Sequence, residues 1–181
     1  MRVGYESPHA LGAAMEKQLL GRIKSLISGA DAVILQDYAK GMVSESLARE
    51  VFRLARAKGK AVAVDPNSKT PVSYYRGATV LTPNTKEAEQ LAGVSINDEA
   101  TLVQAGQAIL RATSARYVLI TRGKEGMAIF AAGKPQPLLI PTYAREVYDV
   151  SGAGDTVISV VSLALATGES CTVLVRFKPT V

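Results

Sequence analysis

The sequence predicts an α/β protein in which a mostly parallel β-sheet carries helices on both faces. Short apolar runs of four or five residues alternate with longer stretches whose apolar residues recur at helical spacing. Polar clusters follow directly after most of these runs, where loops would leave the carboxyl ends of parallel strands. Ligands bind beyond these strand ends in such sheets, so we expect the functional residues there.

The composition fits a single domain of this class. With 181 residues, 48% of them hydrophobic, the chain can bury one sizeable core. The net charge of +5 comes from scattered residues, and its densest cluster, between Arg49 and Lys60, is interpreted as a solvated helix face. Trp is absent and aromatic residues are few, so no nucleic-acid surface is expected.

Cysteine usage and hydropathy indicate the compartment. Cys171 is the only cysteine, which excludes a disulfide within the chain and fits a reducing environment. No apolar run is long enough to span a bilayer, and the N-terminus has no signal-peptide pattern. We therefore expect a soluble cytoplasmic protein that does not interact with a membrane.

The first half of the chain alternates helices and strands. Ser44 is the expected N-cap of the second helix, and Gly59 its end. The predicted helices cover residues 11–28 and 45–58, and the predicted strands cover 32–35, 61–64 and 78–81.

The second half continues the pattern and ends in a hairpin and an apolar helix. Gly93 separates two short helices, and Gly133-Lys134 separates the two arms of the hairpin. The predicted helices cover residues 85–92, 98–112 and 156–166, and the predicted strands cover 116–120, 127–131 and 137–140.

The stretch before the last helix carries the strongest chemical signal. Residues 149–155, Asp-Val-Ser-Gly-Ala-Gly-Asp, place small residues where a loop becomes a helix N-terminus, whose unpaired N–H groups attract anions. Asp155 falls in the first helical turn, where a carboxylate is suited to take a proton from a hydroxyl that attacks a phosphoryl group. The alternative is a plain glycine-rich turn in which Asp155 only complements the helix dipole.

Two weaker motifs precede this stretch. Asn84 and Glu87 have the spacing of a capping box, and residues 121–126, Thr-Arg-Gly-Lys-Glu-Gly, form a polar turn between two strands. Each has a simple structural interpretation. No Gly-x-x-x-x-Gly-Lys-Ser/Thr sequence is present, so P-loop nucleotide binding is not supported.

The order of these three motifs resembles that of the ribokinase-like (PfkB) carbohydrate kinases. The resemblance implies a ribokinase-like three-layer α/β/α sandwich and ATP-dependent phosphoryl transfer to a sugar. Asp155 would be the catalytic base, and the amides of Gly152, Ala153 and Gly154 would form an anion hole.

The same resemblance implies the ligands of ATP and of metal ions. Asn84 and Glu87 would position Mg²⁺ and phosphate, while Asp149 and Ser151 would shape a monovalent-cation loop, as in some family members. The residues implied to line the nucleotide site are Thr121, Gly123 and Gly126.

The middle of the chain narrows the resemblance to the heptose 7-phosphate kinases of the ADP-heptose pathway, which supplies a lipopolysaccharide precursor. Residues 36–41, Gln-Asp-Tyr-Ala-Lys-Gly, and residues 64–67, Val-Asp-Pro-Asn, carry this likeness, although Asn67 stands where Lys is usual. The resemblance implies conversion of heptose 7-phosphate to the 1,7-bisphosphate, with Asp37 and Lys40 facing the sugar phosphate. The alternative for both residues is a polar loop.

The resemblance covers about residues 30–168 and breaks at both ends. Residues 1–168 are therefore expected to be the C-terminal lobe of a sugar kinase, with a sheet incomplete at its N-terminal side, and residues 169–181 a divergent tail. Two functions stay open. One is a kinase, and the other is a truncated, non-catalytic remnant that binds nucleotide or phosphate or self-associates. An open sheet edge also predicts a homo-oligomer.

Overall fold

A computed structural model of the protein describes residues 10–142, 153–169 and 171. Its six strands form one sheet in the sequential order β1 to β6. The first four strands pair in parallel, and the last two add an antiparallel hairpin beside β4. The strands are β1 Ala32–Gln36, β2 Ala61–Asp65, β3 Val80–Leu81, β4 Tyr117–Thr121, β5 Met127–Ala131 and β6 Leu138–Ile140. The predicted mostly parallel sheet is confirmed.

Helices lie between β1 and β2 and between β3 and β4, and two helix ends carry the capping residues that the sequence predicts. The Ser44 hydroxyl accepts a hydrogen bond from the Leu47 N–H, and Gly93 ends its helix with a left-handed φ of 66°. The helices are α1 Ala13–Leu26, α2 Glu45–Ala57, α3 Thr85–Ala92, α4 Glu99–Thr113 and α5 Ala153–Ala166. Within the described ranges, every helix is too short or too polar to cross a membrane.

Two apolar clusters show how the sheet is covered. On one face, Val62 and Val64 of β2 belong to a cluster with α2, α3 and α4. On the other face, Ala63 of β2 packs in a second cluster with Ile158 and Val161 of α5. Because side chains alternate along a strand, the last residue of β2 lies on the α5 face. The helices on both faces confirm the predicted layers.

The third strand is shorter than the predicted 78–81 and covers only Val80–Leu81. The cause is the 3₁₀ turn at Val72–Tyr75, because the Ala78 N–H closes this turn on the Tyr75 carbonyl at 3.1 Å. Two sequence predictions cannot be followed here, since residues 143–152 and most of the tail lie outside the described residues. They concern the monovalent-cation loop with Asp149 and Ser151, and the divergent tail.

Candidate active site

The carboxyl ends of β1 and β2 meet the N-terminal turn of α5. Gln36 and Asp65 are the last residues of the two strands and are paired in parallel register. The Gln36 Nε2 group donates to Oδ1 of Asp155 at 2.8 Å and to Oδ2 of Asp65 at 3.3 Å. The fold thus joins the proposed base to the rim of the sheet.

Three carboxylates share this rim. Burial and, to a smaller extent, the charges of Glu87 and Asp155 raise the pKa of Asp65 to about 6, against the opposing effect of the hydrogen bond from Gln36. Burial also raises the pKa of Glu87, against the opposing effect of its hydrogen bonds with Asn84. The rim is therefore a region of negative potential, which favours a cation.

The motif at the start of α3 is a capping box, as its spacing predicts. The Asn84 Oδ1 atom accepts from the Glu87 N–H at 3.0 Å, and the Glu87 carboxylate accepts from the Asn84 N–H at 2.9 Å. Asn84 also forms an isolated parallel bridge with Thr121. The structure therefore brings together two motifs that are well separated along the chain.

The turn after β4 has a packing requirement of its own. The Arg122 N–H bonds to the Gly126 carbonyl at 2.8 Å, and Arg122 forms an ion pair with Glu125. A Cβ atom on Gly126 would lie 2.0 Å from the Ile140 carbonyl oxygen, and its φ is +86°. Gly123 has a φ of +57° with open space around it. Packing alone thus explains why residue 126 is a glycine, whereas the glycine at position 123 has no such packing reason.

Asp155 lies in the first turn of α5, as expected. Gly154 and Asp155 are exposed, and a Cβ atom on Gly154 would meet nothing within 4 Å, so the surface is open to an approaching ligand. Ala153 begins the helix, and Gly152 lies outside the described residues. The described part of the glycine motif thus has the helix-terminal placement that anion binding requires.

Asp37 and Lys40 occupy the loop after β1 in different environments. The Asp37 side chain is buried, with 6% exposure, and accepts hydrogen bonds from Tyr75 Oη at 2.7 Å and Thr70 Oγ1 at 2.6 Å. Lys40 is exposed, with its Nζ 5.9 Å from the centre of the Tyr38 ring. The observed bonds of Asp37 hold loops together, and its contact with a sugar stays a prediction.

Residues 8–177 match the model of the pfkB family carbohydrate kinases. The chain belongs to this family. Its curated relatives include proteins named "Bifunctional protein HldE" from Desulfatibacillum aliphaticivorans, 42% identical over 170 residues, and Geobacter metallireducens, 41% identical over 168 residues. These alignments cover 94% and 93% of this chain but 34% of each relative. The chain thus spans about a third of the length of the curated relatives it matches.

Solved structures of pfkB-like kinases agree with the fold. Arabidopsis thaliana ribokinase, complexed with ribose and ATP, has a TM-score of 0.73 at 24% identity and covers 86% of this chain and 49% of its own. Escherichia coli phosphofructokinase-2 in complex with potassium has a TM-score of 0.77 at 21% identity, and the match covers 93% of this chain and 54% of the phosphofructokinase chain. The ribokinase-like α/β fold is therefore confirmed.

The family residues present fit a magnesium ion that arrives with a nucleotide. Among the described residues, no group of three or more His, Cys, Asp or Glu side chains is placed to hold a metal. Mg²⁺ in nucleotide sites is usually bound through one or two carboxylates, phosphates and waters. Glu87 would offer such a carboxylate, and a cation would relieve the repulsion between Asp65 and the charges of Glu87 and Asp155.

The sequence patterns did not assign Gln36 or Asp65 to this candidate site. Both follow apolar runs and end neighbouring strands, so the polar clusters after these runs were the available signal. Nothing in the local pattern indicated that Gln36 bonds to Asp155, which is 119 residues away.

Proposed function

We propose that this chain carries out ATP-dependent phosphoryl transfer to a hydroxyl of a sugar or sugar phosphate. The supporting observation is the position of Asp155, a carboxylate in the first turn of α5 beside the carboxyl ends of β1 and β2. This is the edge of an α/β sheet where ligands bind. Membership of the pfkB family supports the same reaction class.

Asp155 acts as the general base in this proposal. Its carboxylate takes the proton of the attacking hydroxyl, whose oxygen bonds to the γ-phosphorus of ATP while the bond from that phosphorus to the bridging oxygen breaks and ADP leaves. The amides of Gly152, Ala153 and Gly154 stabilise the negative charge that develops on the phosphoryl oxygens. Partial positive charge at the N-terminus of α5 acts in the same direction.

Nucleotide and metal binding are assigned to the neighbouring loops. Asn84 and Glu87 would hold Mg²⁺ and phosphate, and the ion would supply positive charge that offsets the charge of the phosphates. The nucleotide is assigned to Thr121, Gly123 and Gly126, and a monovalent cation to the loop with Asp149 and Ser151. The bridge between Asn84 and Thr121 supports the first two assignments, because it joins the metal and nucleotide motifs.

We propose heptose 7-phosphate as the substrate, phosphorylated to the 1,7-bisphosphate in the cytoplasm. The residues assigned to the sugar phosphate are Asp37 and Lys40, in the loop that leaves β1 beside Gln36. Relatives named as bifunctional HldE proteins support this choice, as does the sequence of residues 36–41.

Self-association is the remaining part of the proposal. β1 is an outer strand of the described sheet, and its Ile34 side chain is 46% exposed. An open strand edge with an exposed apolar residue favours pairing with another chain. One solved neighbour is described as a tetrameric form of Escherichia coli phosphofructokinase-2.

The test is Asp155→Asn in the protein at its full natural length, with Asp31→Asn as the matched control. Asp31 is exposed and precedes β1, at the opposite end of that strand from Gln36. Asn keeps the size of Asp but cannot accept the proton, so the rate should fall by on the order of 10²–10⁴. The free energy of unfolding should change by about 1 kcal/mol or less.

Two results separate the alternatives. Near wild-type turnover by Asp155→Asn would remove the base from the mechanism and leave Asp155 as a helix-dipole partner. A wild-type protein that binds Mg²⁺-ATP in calorimetry but transfers no phosphoryl group to any sugar phosphate tested would favour the non-catalytic remnant.

A further inference from the structure

The side chain of Gln36 bridges two carboxylates that belong to different elements. Its Nε2 group is 2.8 Å from Oδ1 of Asp155 on α5 and 3.3 Å from Oδ2 of Asp65 on β2. A side-chain amide carries two N–H hydrogens, so one nitrogen can serve both acceptors. Two carboxylate partners also settle which end of the amide faces them, because its oxygen could only repel them.

The backbone of Gln36 is fixed by the sheet. Gln36 is the last residue of β1 and pairs with Asp65 in parallel register. The next N–H along the chain, that of Asp37, donates to the Asp65 carbonyl at 3.0 Å. The neighbouring side chain, Leu35, packs into the cluster on the opposite face, which leaves Gln36 on the α5 face.

Asp155, in contrast, stands on an exposed first helical turn. A general base must lie within hydrogen-bond reach of the proton it removes, about 2.6–3.2 Å between heavy atoms. An exposed carboxylate that rotates freely meets this condition for only part of the time. When one of its oxygens is held by a fixed donor, the other points in a defined direction.

We propose that Gln36 is a positioning residue, whose amide holds the Asp155 carboxylate against the end of β1 with Asp65 as its second anchor. The inference rests on the proposed function of Asp155. A neutral donor suits this role, since it orients the carboxylate and leaves its negative charge in place. Lys or Arg would orient it equally well but would form an ion pair, which weakens a base.

The test uses Gln36→Met, which keeps an unbranched side chain of similar length but has no donor. The matched control is Gln104→Met on α4, where Gln104 is exposed. In the protein at its full natural length, Gln36→Met should lower kcat by about 10- to 100-fold, since small misplacements of a reacting group cost this much. The KM values for ATP and sugar should change by less than about threefold, because the Michaelis contacts are kept.

A double mutant separates positioning from a general structural effect. If Gln36 acts through Asp155, adding Gln36→Met to Asp155→Asn should change the residual rate by about twofold or less. Independent losses that multiply would overturn the proposal, as would a Gln36→Met enzyme with wild-type kcat. Should Gln36→Met fail to fold, Gln36→Asn takes its place, because it keeps the amide but is one methylene too short to reach.

A measurement without turnover tests the contact itself. In nuclear magnetic resonance spectra of this chain, Asp155→Asn should shift the side-chain amide signals of Gln36 and leave those of Gln104 in place. Unshifted Gln36 signals would show that the bridge does not form in solution, and the proposal would fail. Loss of turnover in Asp155→Asn together with an unaffected Gln36→Met would reject the positioning role while the base assignment stands.

Discussion

The Tyr75 hydroxyl donates a 2.7 Å hydrogen bond to Oδ2 of Asp37 inside the protein. Tyr75 is fully buried and Asp37 is 6% exposed. The same hydroxyl accepts from the Asn67 N–H at 2.9 Å. One phenol oxygen therefore links the loop after β1 to the loop after β2.

Removing this hydroxyl should weaken the fold. Tyr75→Phe leaves the Asp37 carboxylate and the Asn67 N–H each without one partner, at a cost of about 1–3 kcal/mol in the free energy of unfolding. Urea denaturation measures this cost, with Tyr74→Phe as the control because Tyr74 is only half-buried. Equal stability of the two variants would contradict a structural role for the Tyr75–Asp37 bond.

Asp65 should make stability depend on pH. Its pKa is raised from 3.8 to about 6 in the folded state, so the folded protein binds the proton more tightly than the unfolded chain. Stability is therefore lost as pH rises between about 4 and 6, and the loss is complete above that window. Asp65→Asn should be more stable than wild type at pH 8 and equal to it at pH 4.

Asp98 is a control for this pH dependence, because its pKa is shifted in the opposite direction. Hydrogen bonds from Thr101 lower the pKa of Asp98, the N-cap of α4, so its contribution is present at neutral pH and is lost on acidification. Thermal denaturation of Asp98→Asn should show a deficit at pH 8 that disappears in acid. If the stability of Asp65→Asn changed with pH in parallel with that of the wild type at all pH values, Asp65 would not be the source of the pH dependence.

Two helical glycines should respond in opposite directions to the same substitution. A Cβ atom on Gly106 of α4 would lie 2.5 Å from the Phe130 ring, whereas one on Gly21 of α1 would meet nothing within 4 Å. Gly106→Ala should destabilise by about 1–3 kcal/mol through overpacking. Gly21→Ala should stabilise by about 0.5–1 kcal/mol through helix propensity. Chemical denaturation that ranks them the other way would show that the α4–β5 contact is looser than described.

The two glycines of the turn after β4 should separate packing from nucleotide binding. Gly126→Ala must displace the Ile140 carbonyl and should cost more stability than Gly123→Ala, for which left-handed strain alone gives about 1–2 kcal/mol. Gly123→Ala should therefore remain folded and be the informative variant for ATP. Calorimetry should show weaker Mg²⁺-ATP binding by this variant, and unchanged affinity would exclude Gly123 from the nucleotide site.

A charge on the outer strand should reduce self-association. Lys at position 34 is a typical protection of a strand edge, because pairing would bury its charge. Sedimentation over a range of concentrations should show association of the wild-type chain and a smaller average mass for Ile34→Lys. The control is Met15→Lys, since Met15 is also exposed but lies on α1 and not on a strand. A wild-type chain that is monomeric throughout would reject the proposed oligomer.

Local signals predicted much of the molecule from its sequence. The spacing of Asn84 and Glu87, three residues apart, predicted both the start of α3 and its capping box. Asp155 was placed in the first turn of α5 because small residues precede it and an apolar helical run follows it. The burial of Asp37 was not predictable, since its partner Tyr75 is 38 residues away and is brought there by the sheet. The contact of Gln36 with Asp155 depends on the return of α5 to β1, which no local pattern encodes.

The packing of α5 against β1 has a consequence during synthesis of the protein. The hairpin of β5 and β6 forms one side of the sheet, whereas α5, which follows it, packs against β1 and β2 on the other. Gln36 and Asp155 are 119 residues apart, which a ribosome translates in roughly 6–24 s. All six strands leave the ribosome before Asp155 does. A polypeptide interrupted anywhere before residue 153 therefore lacks the proposed base, however much of its sheet has formed.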